Sequence, residues 1–464
     1  MTSYSGSRGL STGYKIVTAI FFFGVYTHLT IRVGGGEVSM VTAVPGAMLW
    51  VILFRTPFSS KIFLSGILVA FLCLLWSLAA PHQLTYLGPR IIGFAQFCFS
   101  ITMGFIAFTM LMKLDRDQLN HFLRYAIPIW FFFICLELFT PFKQVVYAYM
   151  VIYKSGLDES VLNRDIANAG MARPKLFTSE TSYVAITSVF AIGIFAWTSR
   201  RIKDLVLAGF YAVLAIVLIR SPICASILLV LASCIPGTVS RSAGMRKNRV
   251  LILVMLLILG FLASFVVQSG LQAVFANRIQ AATSGVDYST IYRTYGSLYA
   301  SLASIKESPI FGVGMGSLDA VRDVAQTTFL ELGVPWFSVD TEWRAGFGNV
   351  FSYSLVIFGA VGTVLFGVLF LSYFKLLCIK PRLPGYTLLL ILGASYGAFY
   401  APKYVVYVYI IAAVNRLIIL DEQKRAAVRA GFVAMSMRQG LRPSIARPVA
   451  ARVLPDSRQG PVPG

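Results

Sequence analysis

From residue 14 onward the chain alternates long apolar runs with short polar connections. A helix needs about 20 mostly apolar residues, with a range of roughly 17–25, to cross a bilayer. The runs at 14–31, 38–54, 62–80, 91–112, 122–139, 182–198, 205–219, 224–238, 250–267, 351–377, 386–400 and 404–420 therefore predict an all-α integral membrane protein with about 12 transmembrane helices. The last two runs are split only by Ala401-Pro402-Lys403, so a re-entrant hairpin also suits them. Two longer polar interruptions stand out, at about 140–181 and about 268–350. Inside the second, Ile291, Tyr295, Leu298, Leu302 and Ile305 recur at steps of four and three, which predicts an amphipathic helix with this stripe buried. Arg293, Ser297, Ala300 and Ser304 share another face, so Arg293 is expected to point away from the stripe. Ser308-Pro309 ends the helix, and Gly312, Gly314 and Gly316 allow tight turns after it.

Composition agrees with the pattern. Of 464 residues, 57% are hydrophobic and 13% charged, against about 25% charged in a soluble domain. The formal net charge of +21 would suit nucleic acid if it were concentrated, but the cations are scattered between apolar runs. They read instead as the positive-inside bias. Alternate short connections carry Arg55 and Lys61; Lys113 and Arg116; Arg200, Arg201 and Lys203; Arg241, Arg246, Lys247 and Arg249; and Lys380 and Arg382. The opposite connections hold little beyond Arg32, Arg90, Arg220 and Lys403. Both termini are thus expected in the cytoplasm and both long loops outside, which in a bacterium is the periplasm. Residues 1–420 form the membrane domain in this reading. Residues 421–464, rich in arginine and proline without an apolar stripe, read as a disordered cytoplasmic tail that touches anionic lipid or a partner. The six cysteines lie in or beside apolar runs without a CxxC, and only three histidines occur, none in either long loop, so no metal site or cofactor is expected. The first apolar run lacks the charged leader of a cleavable signal peptide.

The outward cations are the informative charges. Arg220, in the turn Ile219-Arg220-Ser221-Pro222, lies at or below the membrane surface, where a cation is costly without an anion. It either snorkels to the headgroups or grips a lipid-linked phosphate with its planar fork. In the first long loop Arg164, Arg173 and Lys175 precede Thr178-Ser179-Glu180. Thr178 or Ser179 reads as a helix cap with Glu180 in the first turn, and the basic pair beside a helix start also suits an anion. The glycine run has neither the strand before it nor the helix after it that a nucleotide fingerprint requires. Asp115-Arg116-Asp117 is similar to a metal–diphosphate DxD, but it falls on the basic-loop side and reads as a solvated loop. Asp340, Glu342 and Arg344, just before the run at 351–377, either supply a base or form a solvated edge.

Taken in order, Arg220-Ser221 between two central spans, Arg293 on a helix in a large late loop, and Ser308-Pro309-Ile310-Phe311-Gly312-Val313-Gly314-Met315-Gly316 make a pattern. It resembles bacterial O-antigen ligases and lipid-linked oligosaccharide polymerases of the Wzy type, over about residues 160–375. The segment Ala172-Arg173-Pro174-Lys175-Leu176-Phe177-Thr178-Ser179-Glu180 is similar to one before the sixth span of exopolysaccharide polymerases. Ligases of the family place a His-Asn pair before a Gly-x-x-Gly-like span. Here Asn349 precedes Gly359-Ala360-Val361-Gly362 without a histidine, which leaves the polymerase reading standing. The resemblance implies a metal-independent GT-C-like glycosyltransferase acting on undecaprenyl-diphosphate-linked oligosaccharide, alongside a chain-length regulator and a flippase. Arg293 and Arg220 would stabilise the departing diphosphate, Arg173 would orient a sugar, and Glu180 or Glu342 would be the base. Lys175, Arg164, Gly312, Gly314, Arg344 and Asn349 complete the expected substrate-binding set. Transfer to a lipid or protein acceptor is one alternative. A flippase or secondary transporter is another, to which the intramembrane acid Glu137 points while the long loops point away.

Overall fold

The computed structural model describes residues 11–27, 31–33, 36–38, 40–54, 56–81, 84–151, 173–178, 180–239, 295–334, 339–340 and 343–438. The chain divides into two compact units, Met1–Leu417 and Ile418–Gly464. Apart from one small ribbon the regular elements among the described residues are helices. Helix α1 (Thr12–Thr27) leads to the antiparallel strands β1 (Ile31–Val33) and β2 (Gly36–Val38), paired Ile31 to Val38. This ribbon stands where the pattern suggested the adjoining ends of two spans, 14–31 and 38–54. Next come α2 (Val44–Phe54), α3 (Lys61–Leu78), α4 (Leu87–Leu111), α5 (Arg116–Phe139) and α6 (Phe142–Val151). After the first long loop follow α7 (Thr181–Thr198), α8 (Ile202–Ile219) and α9 (Pro222–Val239). The later part holds α10 (Tyr295–Ile305), α11 (Arg322–Glu331), α12 (Val350–Cys378), α13 (Leu383–Ser395) and α14 (Pro402–Arg438).

Seven helices among the described residues are long and apolar enough to cross a membrane: α3, α4, α5, α7, α8, α12 and the part of α14 up to Val428. Their outer faces carry the large side chains expected against lipid, such as Leu68, Phe132, Phe210 and Val364. Helices α7, α8, α9 and α13 pack together, and α3 packs on both α4 and α12. The expected run at 250–267 lies outside the described residues, as does the chain beyond 438.

Four expectations need correction. The helix expected over 386–400 ends at Ser395, and residues 396–401 form an irregular connection before Pro402. The tail expected to be disordered from 421 instead continues α14 through Arg438. That stretch holds four alanines, three arginines and two methionines, all good helix formers, and Asp421 accepts from Arg425 one turn on (3.3 Å). The run at 351–377 is broken: Gly359 has φ 68° and ψ −176° inside α12. Finally, α10 is turned over relative to its expected orientation. Gly296, Ser297, Ala300, Ser301 and Ser304 are buried, whereas Leu298 is 49% exposed and Tyr295, Tyr299 and Leu302 are also exposed. Small residues let α10 approach α12 closely, and the large apolar ones face outward.

Candidate functional site

The break in α12 is filled by the glycine run. Val313 N–H donates to the Val356 carbonyl (3.0 Å), and Gly314 N–H to that of Ile357 (2.9 Å). Ala360 N–H donates in return to the Pro309 carbonyl (2.8 Å). Trp76 Nε1–H donates to the Phe358 carbonyl (3.1 Å), and Thr363 Oγ1 to that of Gly359 (2.6 Å). A helix broken inside an apolar bundle must find partners for the groups it frees, and here the loop and Trp76 supply them. Gly312 (φ 65°) and Gly359 (φ 68°) face each other so closely that a Cβ on Gly312 would lie 2.4 Å from Gly359 N. Neither position has space for a side chain.

Arg90, on α4, locks the loop from the other side. It is fully buried. Its guanidinium donates to Ser317 Oγ (3.1 Å) and to the carbonyls of Ala80 (3.3 Å), Pro81 (2.5 Å) and Val313 (3.0 Å). Met315 N–H donates to Ser77 Oγ (3.0 Å), joining the same loop to α3. Below it an apolar cleft of about 470 Å³ runs between α3 and α12, lined by Leu72, Trp76, Phe358, Gly362, Leu365 and Phe366. The Trp76 ring also packs against Phe311 of the loop, with centroids 5.1 Å apart.

A second polar group lies where α5 ends and α7 and α14 begin. The Glu137 carboxylate accepts from the backbone N–H groups of Lys175 (2.9 Å) and Leu176 (2.8 Å). Leu176 and Phe177 both have positive φ, an unfavourable conformation for such side chains that this clamp helps to hold. Leu176 in turn accepts from Tyr26 OH (2.7 Å). Glu137 thus has a local structural task, which accounts for an acid within the apolar part of α5. Lys403, fully buried, donates to the Tyr26 carbonyl (3.1 Å) and sits 4.1 Å above the Tyr183 ring. Glu180, exposed, is the N-cap of α7, and its Oε2 accepts from Ser182 Oγ (2.7 Å). Thr178 Oγ1 donates to the Lys175 carbonyl (2.5 Å) and lies 3.0 Å from that of Glu180, so it braces the segment before the cap.

Residues 396–401 join the two groups. The Tyr396 ring neighbours Tyr183 (6.4 Å), and Tyr400 OH meets Tyr353 OH on α12 (2.7 Å). Burial, reinforced by Tyr407, Tyr183 and Glu180, pushes the Tyr396 phenol well above its usual range, so it stays a neutral hydroxyl.

The expected site residues are distributed as follows. Gly312 and Gly314 form the loop core. Lys175 is buried beside Glu137, and Arg173, half-buried, lies two residues before it. Asn349 caps α12 by accepting from Ser352 N–H (2.8 Å) and donates to Ser297 Oγ on α10 (3.1 Å). Arg344, exposed, grips both oxygens of Asp319 (2.7 and 2.8 Å). Arg220 ends α8 in a left-handed conformation (φ 51°), at the same end of the α7–α8–α9–α13 group as Glu180 and Tyr396. Arg293, Arg164 and Glu342 lie outside the described residues. Asp115-Arg116-Asp117 is structural: Arg116 donates to the carbonyls of Thr198 (2.8 Å) and Ser199 (3.0 Å), and Asp117 accepts from Arg200 (2.8 Å). Sequence reasoning gave no role to Arg90, Lys403 or Tyr396. The signal for the first two was their rarity, since they are among the few cations on the less basic side. Tyr396 carried none. Comparison of the chain with family models, curated proteins and solved structures finds no match.

Proposed function

We propose that this chain is a polysaccharide polymerase of the bacterial inner membrane, joining undecaprenyl-diphosphate-linked repeat units at the periplasmic face. With the run at 250–267 and the shorter helices α1, α2, α9 and α13 also crossing, it spans the bilayer about 12 times with both termini in the cytoplasm. The observation that carries the reading is the apolar cleft of about 470 Å³ that ends at Trp76 and Phe358, where the glycine loop docks. A polyprenyl chain suits such a cleft, and its diphosphate would then lie at the polar end, toward the glycine loop. Arg220 and Arg293 hold the leaving diphosphate, which needs fixed cations as its charge develops. Glu180 or Glu342 takes the proton of the acceptor hydroxyl, and no metal takes part in the proposal.

The test is polymerisation by the purified chain supplied with lipid-linked repeat units. Lysine snorkels as well as arginine but lacks the two-pronged fork. Arg220→Lys should therefore accumulate normally and lose most polymer, and Arg293→Ala should lose on the order of 100-fold in rate. Full-length polymer at wild-type rate from both variants sinks the reading. Loss of activity to chelator, restored by magnesium, sinks its metal-free mechanism.

A further inference from the structure

Three buried polar groups, at the starts of α7 and α14 and just past the end of α13, have hydrogen-bonding capacity that the structure leaves unused. Tyr396 OH and Thr181 Oγ1 have no hydrogen-bond partner, although both residues are more than nine-tenths buried. The Lys403 amino group carries more than one N–H donor, of which the Tyr26 carbonyl takes one. A buried hydroxyl without a partner is costly, and such an exception calls for an occupant. Around these groups stand aromatic faces. Tyr183 lies under Lys403, and the Tyr396 ring has Tyr183, Tyr404 and Tyr407 at 6.3–6.4 Å. Tyr407 OH is already engaged with Thr187 Oγ1 (3.0 Å). The Glu180 carboxylate is within electrostatic reach of both Lys403 and Tyr396. It is exposed and Tyr183 half-buried, so the cluster opens to the surface on that side.

The charges select the ligand. The Lys403 amino group and the Glu180 carboxylate stand together, so a phosphate would meet the carboxylate and a cation would meet the buried amine. A neutral ring bearing hydroxyls on its edge and C–H groups on its face conflicts with neither. Its hydroxyls accept from Lys403 and Tyr396 and donate to Glu180, while its face lies on a tyrosine ring. We infer that Tyr183, Tyr396, Lys403 and Glu180 form a subsite for one neutral sugar ring. The inference rests on the polymerase reading for which substrate carries that sugar, and on the cluster alone for the binding itself.

The experiment uses the full chain in nanodiscs and a panel of methyl glycosides of neutral hexoses, deoxyhexoses and N-acetylhexosamines, followed by saturation-transfer NMR. At least one glycoside is expected to bind with a dissociation constant on the order of millimolar. Tyr396→Phe, which keeps the ring, should weaken it about five-fold, the usual effect of one neutral hydrogen bond. Tyr183→Phe should bind as wild type and Tyr183→Ala more weakly than Tyr396→Phe. Absence of binding across the panel overturns the inference. So does binding unchanged in Tyr396→Phe with a raised melting temperature, the result expected if the hydroxyl is merely an unpaired group or one bridged by water. Displacement of the glycoside by inorganic phosphate overturns the choice of a neutral ligand. Because no polymer need form, tyrosine-dependent binding in a chain without polymerase activity would leave this subsite standing while the polymerase reading fell.

Discussion

Arg90, Glu137 and Arg116 show what charged side chains do in this apolar molecule. Each satisfies backbone that is not regular helix: the carbonyls of Ala80, Pro81 and Val313, the N–H groups of Lys175 and Leu176, and the last carbonyls of α7. Away from water such groups have few other partners, and a side chain with several donors or acceptors serves many at once. Removing Arg90 leaves those carbonyls unpaired and the Gly312–Gly316 turn unpinned. Arg90→Met is therefore expected to destabilise the detergent-solubilised protein by roughly 3 kcal/mol or more, and Arg90→Lys by less, since an ammonium reaches only some of the same acceptors. Arg344→Ala is the control. Its pair with Asp319 is solvent-exposed, and such pairs contribute about 0–1 kcal/mol. Thermal melts of the three variants decide the matter: equal melting for Arg90→Met and wild type would remove Arg90 from its role as a clamp.

At the scale of elements, what was legible was periodicity, and what was not was the solvent on each side. The steps of four and three at Tyr295, Leu298, Leu302 and Ile305 correctly marked a helix, but the rule that the apolar stripe faces the core belongs to water. Next to lipid, large apolar side chains gain nothing by turning inward, and small ones permit close packing. Ser301 follows this rule, fully buried with Oγ donating within 3.0 Å of the Ser352 carbonyl on α12. The broken helix was illegible for another reason. Gly359 and the Gly312–Gly316 turn were both visible as glycine patterns, but nothing in either segment says that each fills the other's gap. Most of each expected span within the described residues is helical, because that signal is local. The contacts of Lys403 and Tyr396 are long-range, so only the fold shows them. Two substitutions test the orientation of α10. Ser301→Leu should cost about 1–3 kcal/mol by overpacking the seam with α12, lowering the yield of monodisperse protein. Leu298→Ala should melt within about 0.5 kcal/mol of wild type, as surface changes do. The reverse ranking, judged by size-exclusion profile and melting temperature, would restore the buried stripe.

For the whole molecule, contacts sort the connections into two sets without reference to charge. Arg116 meets the end of α7, Arg200 meets Asp117, and Asn415 donates to the carbonyls of Cys378 and Lys380 (both 2.9 Å), so these connections share one end. Lys403 meets Tyr26, Glu137 meets the segment at Lys175, and Arg90 meets the loop at Val313, so these share the other. The first set contains Lys113, Arg116, Arg200, Lys380 and Arg382, the connections richest in cations. Among the described connections, packing and charge therefore make the same division, and the positive-inside rule predicts that the cation-rich end faces the cytoplasm. Reporter fusions after Gly244 and in the segment beyond residue 438 should report cytoplasm. Fusions near Asn168 and Val321 should report periplasm, because the glycine loop and the start of α7 lie at the cation-poor end. The Val321 fusion is the decisive one. A cytoplasmic signal there would put the mouth of the cleft, the Arg220 turn and the tyrosine cluster on the side where their proposed substrate is not assembled into polymer, and the proposed function would fall with the orientation.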